Sequence, residues 1–244
     1  MTTRLDVLVC NSNPELSRTK TTGLIQRGAV TVDGKVERRP GVKVSPEAVI
    51  KVQQDDELLR YVSRAGLKLE TALEHFKLDV TGMKVLDAGL STGGFAQCLL
   101  MRGATHVYGV DVGNDQVAES LKSEERLTAM ENTDIRKLET LPELVDLVTL
   151  DLSFISLCKV AESVVKFLKP KSKVIALIKP QFEVGKAAIG RGGIVSSKIA
   201  KQGAVDAVTI AFEQLGFTHK GFVPVPDVAT GKKNEEFLSL FIRG

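Results

Sequence analysis

Apolar positions fall into two regimes along the chain. Over roughly the first 55 residues the pattern is short and mixed. Leu5, Leu8 and Val9 share a helical face, and Ser17 is placed to cap a second helix, Arg18 to Arg27, with Leu24 and Ile25 turned inward. Gly28 is a helix stop, and Ala29-Val-Thr-Val-Asp-Gly-Lys-Val predicts a strand, an Asp33-Gly34 turn and a return strand. From Lys84 onward, apolar strands alternate with helices. Strands are predicted at 84–88, 106–111, 127–131, 147–151 and 173–178, and helices at 95–102, 117–122, 157–168 and 198–215. Such alternation implies a parallel sheet covered on both faces. The chain then closes on two strands with no helix between them, 217–226 and 236–242.

Composition narrows the class. Of 244 residues, 43% are apolar and 26% charged, ordinary values for a globular chain. No apolar run approaches the roughly 20 residues of a bilayer span, and Met1-Thr-Thr-Arg-Leu-Asp lacks the apolar stretch of a secretory leader. Cys10, Cys98 and Cys158 lie far apart, which gives neither a disulfide framework nor a metal-ligand spacing and suits a reducing, cytoplasmic setting. Charge is unevenly spread: residues 1–43 carry eight Lys/Arg against four acids, and residues 44–59 reverse the balance. The switch divides the chain into a small domain with its linker, 1–59, and a larger one, 60–244. Arg4, Arg18, Lys20, Arg27 and Lys35 give the small domain a basic character that suits phosphate contacts, although a merely solvated face would look the same.

The first strand of the larger domain runs into Asp87-Ala-Gly-Leu-Ser-Thr-Gly-Gly-Phe. Gly89, Gly93 and Gly94 let backbone approach a ligand and let the next helix start close to the sheet. Ser91 breaks the dinucleotide fingerprint, and Phe95 after Gly94 excludes a phosphate loop. A turn of this kind suits S-adenosylmethionine, which has no pyrophosphate, with Asp87, Gly89, Ser91, Thr92, Gly93, Gly94 and Phe95 as its lining. Asp111, ending the second strand, is placed for the ribose hydroxyls, and Asp134, after the third, for the adenine amino group. Asp151 and Lys179 end the fourth and fifth strands, where neighbouring carboxyl ends face the ligand crevice. Lys68 lies on the helix before the sheet and Glu236 opens the last strand. Phe95, Phe154, Phe182 and Phe222 are available to line an adenine or substrate pocket, with core packing the default expectation for each.

Arg4-Leu-Asp-Val-Leu, Ser17-Arg18 and Arg27-Gly-Ala-Val-Thr-Val-Asp-Gly-Lys-Val resemble the small RNA-binding module named after ribosomal protein S-four. Ser63-Arg-Ala-Gly-Leu-Lys-Leu, Ser91-Thr-Gly-Gly-Phe, Val110-Asp-Val-Gly, Asp151-Leu-Ser-Phe-Ile-Ser-Leu, Ile178-Lys-Pro-Gln-Phe-Glu and Gly193-Ile-Val extend the likeness over nearly the whole length. Together they resemble the TlyA (hemolysin A-like) family, which joins that module to an FtsJ/RrmJ-like domain. The resemblance implies an α/β fold: a Rossmann-like class I AdoMet methyltransferase sheet with an antiparallel last strand, preceded by a small α+β RNA-binding domain. It also implies S-adenosylmethionine as cofactor, no metal, and 2′-O-ribose methylation of RNA, with ribosomal RNA in ribosomal particles as the expected substrate. Lys68, Asp151, Lys179 and Glu236 match the family's Lys-Asp-Lys-Glu catalytic set in order and context. A lysine near its free value of 10.4 is protonated at neutral pH, so this chemistry asks for burial and a second ammonium nearby. Lys179 is assigned as base and Lys68 as positioner. Two positions depart from the pattern: Leu90 stands where a smaller residue is usual, and Lys233-Asn-Glu-Glu replaces Gly-Asn-x-Glu. Three other readings compete: a non-catalytic RNA-binding or ribosome assembly factor, a membrane-active hemolysin, and a nicotinamide dehydrogenase. The intact four-residue set weighs against the first, the lack of a long apolar or strongly basic amphipathic segment against the second, and Ser91 against the third.

Overall fold

A computed structural model describes residues 2–14, 16–226 and 234–244, and the chain divides into two units, the first ending at Arg64 and the second starting at Ala65. In the first, strand β1 (Thr3–Arg4) leads into helix α1 (Leu5–Ser12). Helix α2 (Arg18–Arg27) starts where Ser17 Oγ accepts the Lys20 amide at 3.2 Å, as its capping position predicts. It stops at Gly28, whose φ of +86° is open to glycine and strained for other residues. Strands β2 (Val30–Val32) and β3 (Lys35–Val36) are joined by Asp33 and Gly34, both left-handed, a turn whose twist matches a tight hairpin. Two further short strands complete the unit. β4 (Lys43–Val44) pairs with β1, and β5 (Ile50–Val52) adds to β2 on the side away from β3. Leu5, Val9, Leu24, Ile25 and Leu58 are buried, each contributing roughly 1.5–3 kcal/mol of transfer free energy. Leu8 is only partly buried, and Asp6 takes an interior position instead, held by a two-pronged contact from Arg4.

The second unit opens with helix α3 (Ala65–His75) and strand β6 (Lys84–Ala88). Then follow α4 (Gly94–Met101), β7 (His106–Val110), β8 (Leu127–Met130), β9 (Val145–Leu150), α5 (Ala161–Val165), β10 (Leu168–Ile178), α6 (Pro180–Glu183), α7 (Lys198–Glu213), β11 (Phe217–Pro224) and β12 (Phe237–Arg243). The sheet order is β11-β12-β10-β9-β6-β7-β8, parallel from β10 to β8, with β12 antiparallel to both β10 and β11. The fold is thus the α/β sheet with a reversed end that the sequence predicts. Val85, Leu86, Leu147, Val148, Leu150 and Val174 to Ile178 are buried, as expected of central parallel strands covered on both faces. Strand order reverses between β6 and β9, which opens a crevice at their carboxyl ends.

Two predicted helices are corrected. Residues 117–122 form only a 3-10 turn, Glu119–Leu121, because a segment this short cannot repay helix nucleation and no side chain caps it. Residues 157–168 break into a 3-10 turn, Leu157–Lys159, and the five-residue α5, after which Leu168 already belongs to β10. β10 is correspondingly longer than predicted. Between Leu168 and Lys173 it carries three residues more than the matching stretch of β9, and Pro170, which has no amide hydrogen, sits within that excess. No helix among the described residues is long and apolar enough to cross a membrane.

Candidate active site and cofactor cavity

A cavity of about 1000 Å³ opens at the carboxyl ends of β6, β7, β9 and β10. Its floor is the turn after β6. Gly89 has φ +97°, and a Cβ there would lie 2.4 Å from the Asp151 carbonyl oxygen, so glycine is required for β6 and β9 to close so tightly. Ser91 takes a left-handed φ of +46°, and its amide donates to Asp111 Oδ2 at 2.8 Å, while the Gly113 amide donates to Oδ1 at 2.7 Å. Two backbone donors therefore fix the Asp111 carboxylate at the end of β7 with lone pairs left for a ligand. Leu90 is buried, and its methyl groups occupy the space where a Cβ on Gly109 of β7 would sit, 2.6 Å from that position. The larger residue at 90 is thus accommodated by the absence of a side chain on the neighbouring strand.

Of the predicted cofactor residues, Gly89, Ser91, Asp111 and Asp134 line this cavity. Asp87, Phe95 and Gly93 act beneath it. Asp87 is fully buried and accepts from Thr149 Oγ1 at 2.7 Å, and burial with the nearby Asp151 charge pushes its carboxyl up to about 7. Phe95 is a core residue, and a Cβ at Gly93 would strike Leu121, so this glycine serves packing. Thr92 and Gly94 are likewise absent from the lining. Asp134 is gripped by Arg136 through contacts of 2.6 to 3.2 Å, which hold its carboxyl down at about 2. The cavity also takes Val112 and Gln116, which sequence reasoning left out, and Phe154 and Phe182, for which pocket lining was the second reading behind core packing.

Phe154 is 91% exposed with a left-handed φ of +64°, its ring 5.3 Å from that of Phe182. Both features are unfavourable for an aromatic residue and set it apart from the core packing expected of it. The turn beneath it is pinned by Glu183, whose carboxylate accepts from Ser156 Oγ at 2.7 Å and the Leu157 amide at 2.9 Å; burial pushes this carboxyl up.

The four residues of the charged set form two ion pairs. Lys179, 8% exposed, places Nζ 2.7 Å from Asp151 Oδ1 and donates to Ser153 Oγ at 2.9 Å. Lys68 Nζ on α3 lies 2.5 Å from Glu236 Oε2. The pairs are joined by the sheet itself: Ile178 faces Phe237 in the β10–β12 ladder, so Lys179 and Glu236 are the next residues on adjacent strands. Glu235 turns away to Lys201 at 2.9 Å. Asn234 sets this register by accepting the Val195 amide through Oδ1 and donating to the Gly193 carbonyl through Nδ2, each at 2.8 Å.

The FtsJ-like methyltransferase family matches residues 61–243, which include this cavity and both ion pairs. The chain belongs to that family. An S4 domain matches residues 3–50. The chain is 39% identical over 239 residues to the 16S/23S rRNA (cytidine-2′-O)-methyltransferase TlyA of Mycobacterium tuberculosis, covering 97% of this chain and 89% of the relative. It is 34% identical over 242 residues to Hemolysin A of Brachyspira hyodysenteriae, covering 98% and 99%. A solved structure from Streptococcus thermophilus that bears the name hemolysin has a TM-score of 0.76 at 36% identity, covering 99% of this chain and 88% of that one. The cofactor of the family, S-adenosylmethionine, fits the residues present. The floor at Gly89 has no room for a side chain, and the amide-fixed Asp111 is an acceptor suited to paired ribose hydroxyls. Among the described residues no cluster of metal-ligating side chains occurs.

In the small unit the basic residues are not equivalent. Arg18 and Lys35 are exposed. Arg4 is paired with Asp6, and Arg27 donates to Glu57 at 2.5 Å. Lys20 corrects the expectation of a solvent-facing cation: it is buried, and its Nζ donates to the Tyr61 carbonyl at 2.8 Å. Three residues into α2, its stem points back along the helix onto the interior.

Proposed function

We infer that this methyltransferase modifies a ribose 2′-hydroxyl of ribosomal RNA within ribosomal particles. The observation that carries the reading is the pair of Lys–carboxylate contacts: Lys179–Asp151, which lines the cavity together with the Asp111 acceptor, and Lys68–Glu236, which lies outside that lining but whose Glu236 is next to Lys179 across the β10–β12 ladder. The small unit, with Arg18 and Lys35 free to meet phosphates, is the RNA-holding module. The names of the ribosomal-RNA-modifying relatives support the substrate class. RNA offers the 2′-hydroxyl that DNA lacks.

Bound S-adenosylmethionine supplies a methyl group activated by its sulfonium. Gly89 and Ser91 would receive its amino-acid part, Asp111 its ribose, and Asp134 with Ile135 its adenine end. The protein must then orient a weak nucleophile and accept its proton. Asp151 Oδ1 and Ser153 Oγ together fix Lys179 Nζ; once the ammonium has ceded a proton to Asp151 or to solvent, the neutral amine accepts the 2′-hydroxyl proton as the oxygen takes the methyl group. Lys68, held by Glu236, positions the ribose and its neighbouring phosphate. Phe154, exposed on the rim, offers a face on which the target base stacks. Alignment of the reactants supplies the larger share of the acceleration, and proton transfer adds about 10² to 10⁴.

The test is incubation of the full chain with labelled S-adenosylmethionine and ribosomal subunits from a strain lacking the gene. Label is expected on ribose, mapped to discrete nucleotides. Tight RNA binding without methyl incorporation would instead establish a non-catalytic assembly factor.

A further inference from the structure

Lys179 is a recessed base. Its side chain is 9% exposed and that of Asp151 15%, whereas Ser153, which lines the same cavity, is exposed. Of the three side chains that meet at Nζ, the serine is the one that stands out toward solvent. Its Oγ accepts from Nζ at 2.9 Å and makes no other hydrogen bond among the described residues, so its own hydrogen is unengaged. Phe154, on which the target base stacks, is its chain neighbour and lines the cavity with it.

The two acceptors around Nζ differ in kind. A carboxylate accepts hydrogen bonds and cannot donate one, while a hydroxyl does either. The ammonium form donates to both, to Asp151 Oδ1 at 2.7 Å and to Ser153 Oγ at 2.9 Å. Once a proton has left to solvent, the amine keeps two N–H groups and one lone pair. Only an N–H can meet Asp151. Between the two partners the lone pair therefore falls to Ser153, whose hydroxyl turns to donate across the same contact. The serine oxygen is then left with its own lone pairs free for a donor in the cavity.

We propose that Ser153 is a further catalytic residue, whose hydroxyl carries the 2′-hydroxyl proton to Lys179. The inference rests on the 2′-O-methylation reading and supplies a step within it. As the 2′-oxygen bonds to the methyl carbon, its O–H bond breaks and that proton goes to Ser153 Oγ, while the serine hydrogen passes to Lys179 Nζ. The bond from the methyl carbon to sulfur breaks with its electron pair left on sulfur. The serine ends as a neutral hydroxyl and the lysine as an ammonium, so two protons move for each methyl group.

The test uses the full chain, labelled S-adenosylmethionine and ribosomal subunits from a strain lacking the gene, with single-turnover rates followed across mixtures of light and heavy water. In wild type, transfer should slow with deuterium along a downward-bowed curve, the signature of two protons in flight; one proton passed directly gives a straight line. Ser153→Ala should lose about tenfold or more in rate. Half-saturation by subunits, calorimetric cofactor binding and melting temperature should stay at wild-type values, since the residue is exposed and takes no part in the core. Ser153→Thr keeps a hydroxyl and has open space for its extra methyl, so it should recover to within about threefold of wild type and keep the bowed curve. A straight or flat wild-type dependence, a Ser153→Ala rate above about a tenth of wild type, or a folded Ser153→Thr as slow as Ser153→Ala overturns the proposal. Absence of methyl transfer by wild type refutes the 2′-O-methylation reading itself, and this inference with it.

Discussion

Lys179→Met is the substitution that separates catalysis from architecture. Methionine keeps an unbranched stem that fills the same buried channel and deletes only the ammonium, which sits 2.7 Å from Asp151 Oδ1 and 2.9 Å from Ser153 Oγ. Two effects follow. Loss of the group assigned to the 2′-hydroxyl proton should slow methyl transfer by about 10² to 10⁴, equivalent to about 3–5 kcal/mol of barrier. The Asp151 carboxylate, largely buried, is left without its cation. Removing one member of a buried pair costs about 3–5 kcal/mol, and access to the cavity places this case near the lower figure, about 3 kcal/mol. The double variant Lys179→Met/Asp151→Asn removes both charges and should return to within about 1 kcal/mol of wild type in urea unfolding while remaining inactive. Single-turnover transfer from labelled S-adenosylmethionine reads the first effect, and calorimetric cofactor binding should be nearly unchanged. A Lys179→Met enzyme with more than a tenth of the wild-type single-turnover rate, or a double variant that regains activity, would refute the assignment.

Other consequences are as direct. Phe154→Ala relieves a left-handed aromatic and leaves no cavity, so melting temperature should hold or rise; loss of a stacking face should weaken target RNA binding by about 1–3 kcal/mol. Unchanged RNA affinity in a filter-binding assay would remove Phe154 from the substrate site. Asp87 carries a carboxyl raised from 3.8 to about 7, so between those values the folded state holds a proton the unfolded chain has lost, and stability falls as pH rises. Asp87→Asn should therefore gain on wild type by about 2–3 kcal/mol between pH 5 and pH 8, and parallel unfolding profiles would contradict the burial argument. Arg18→Ala should weaken RNA binding and lower its salt slope by about 1 at constant stability. Lys20→Met should instead lower the stability of the small unit, by about 1–3 kcal/mol, because the Tyr61 carbonyl loses its donor; a stability loss for Arg18→Ala and none for Lys20→Met would reverse this reading.

Alternation of apolar runs made the parallel sheet and its reversed end legible before any coordinates, because central strands must be apolar on both faces. Capping chemistry did the same for α2 through Ser17 and Gly28. Periodicity failed where segments were short: 117–122 and 157–168 have helical spacing, but neither is long enough to overcome nucleation without packing. Strand ends told where Asp111, Asp151 and Lys179 would gather, since carboxyl ends of parallel strands share one crevice. Burial of Lys20 was hidden because its acceptor is a main-chain carbonyl 41 residues away. The exposure of Phe154 was only half legible, since an aromatic between Leu152 and Ile155 reads first as interior and only second as pocket lining until its backbone conformation is seen.

The interlock between Leu90 and Gly109 has an evolutionary corollary. Each position is tolerable only because of its neighbour: a side chain at 109 collides with the leucine, and a small residue at 90 leaves a hollow under the turn. Neither can drift alone without a defect at the cofactor floor, whereas an exchange of bulk between the two strands keeps the volume constant. In orthologous chains these two sites should accordingly change in concert, a bulky 90 travelling with glycine at 109 and a small 90 with alanine or larger.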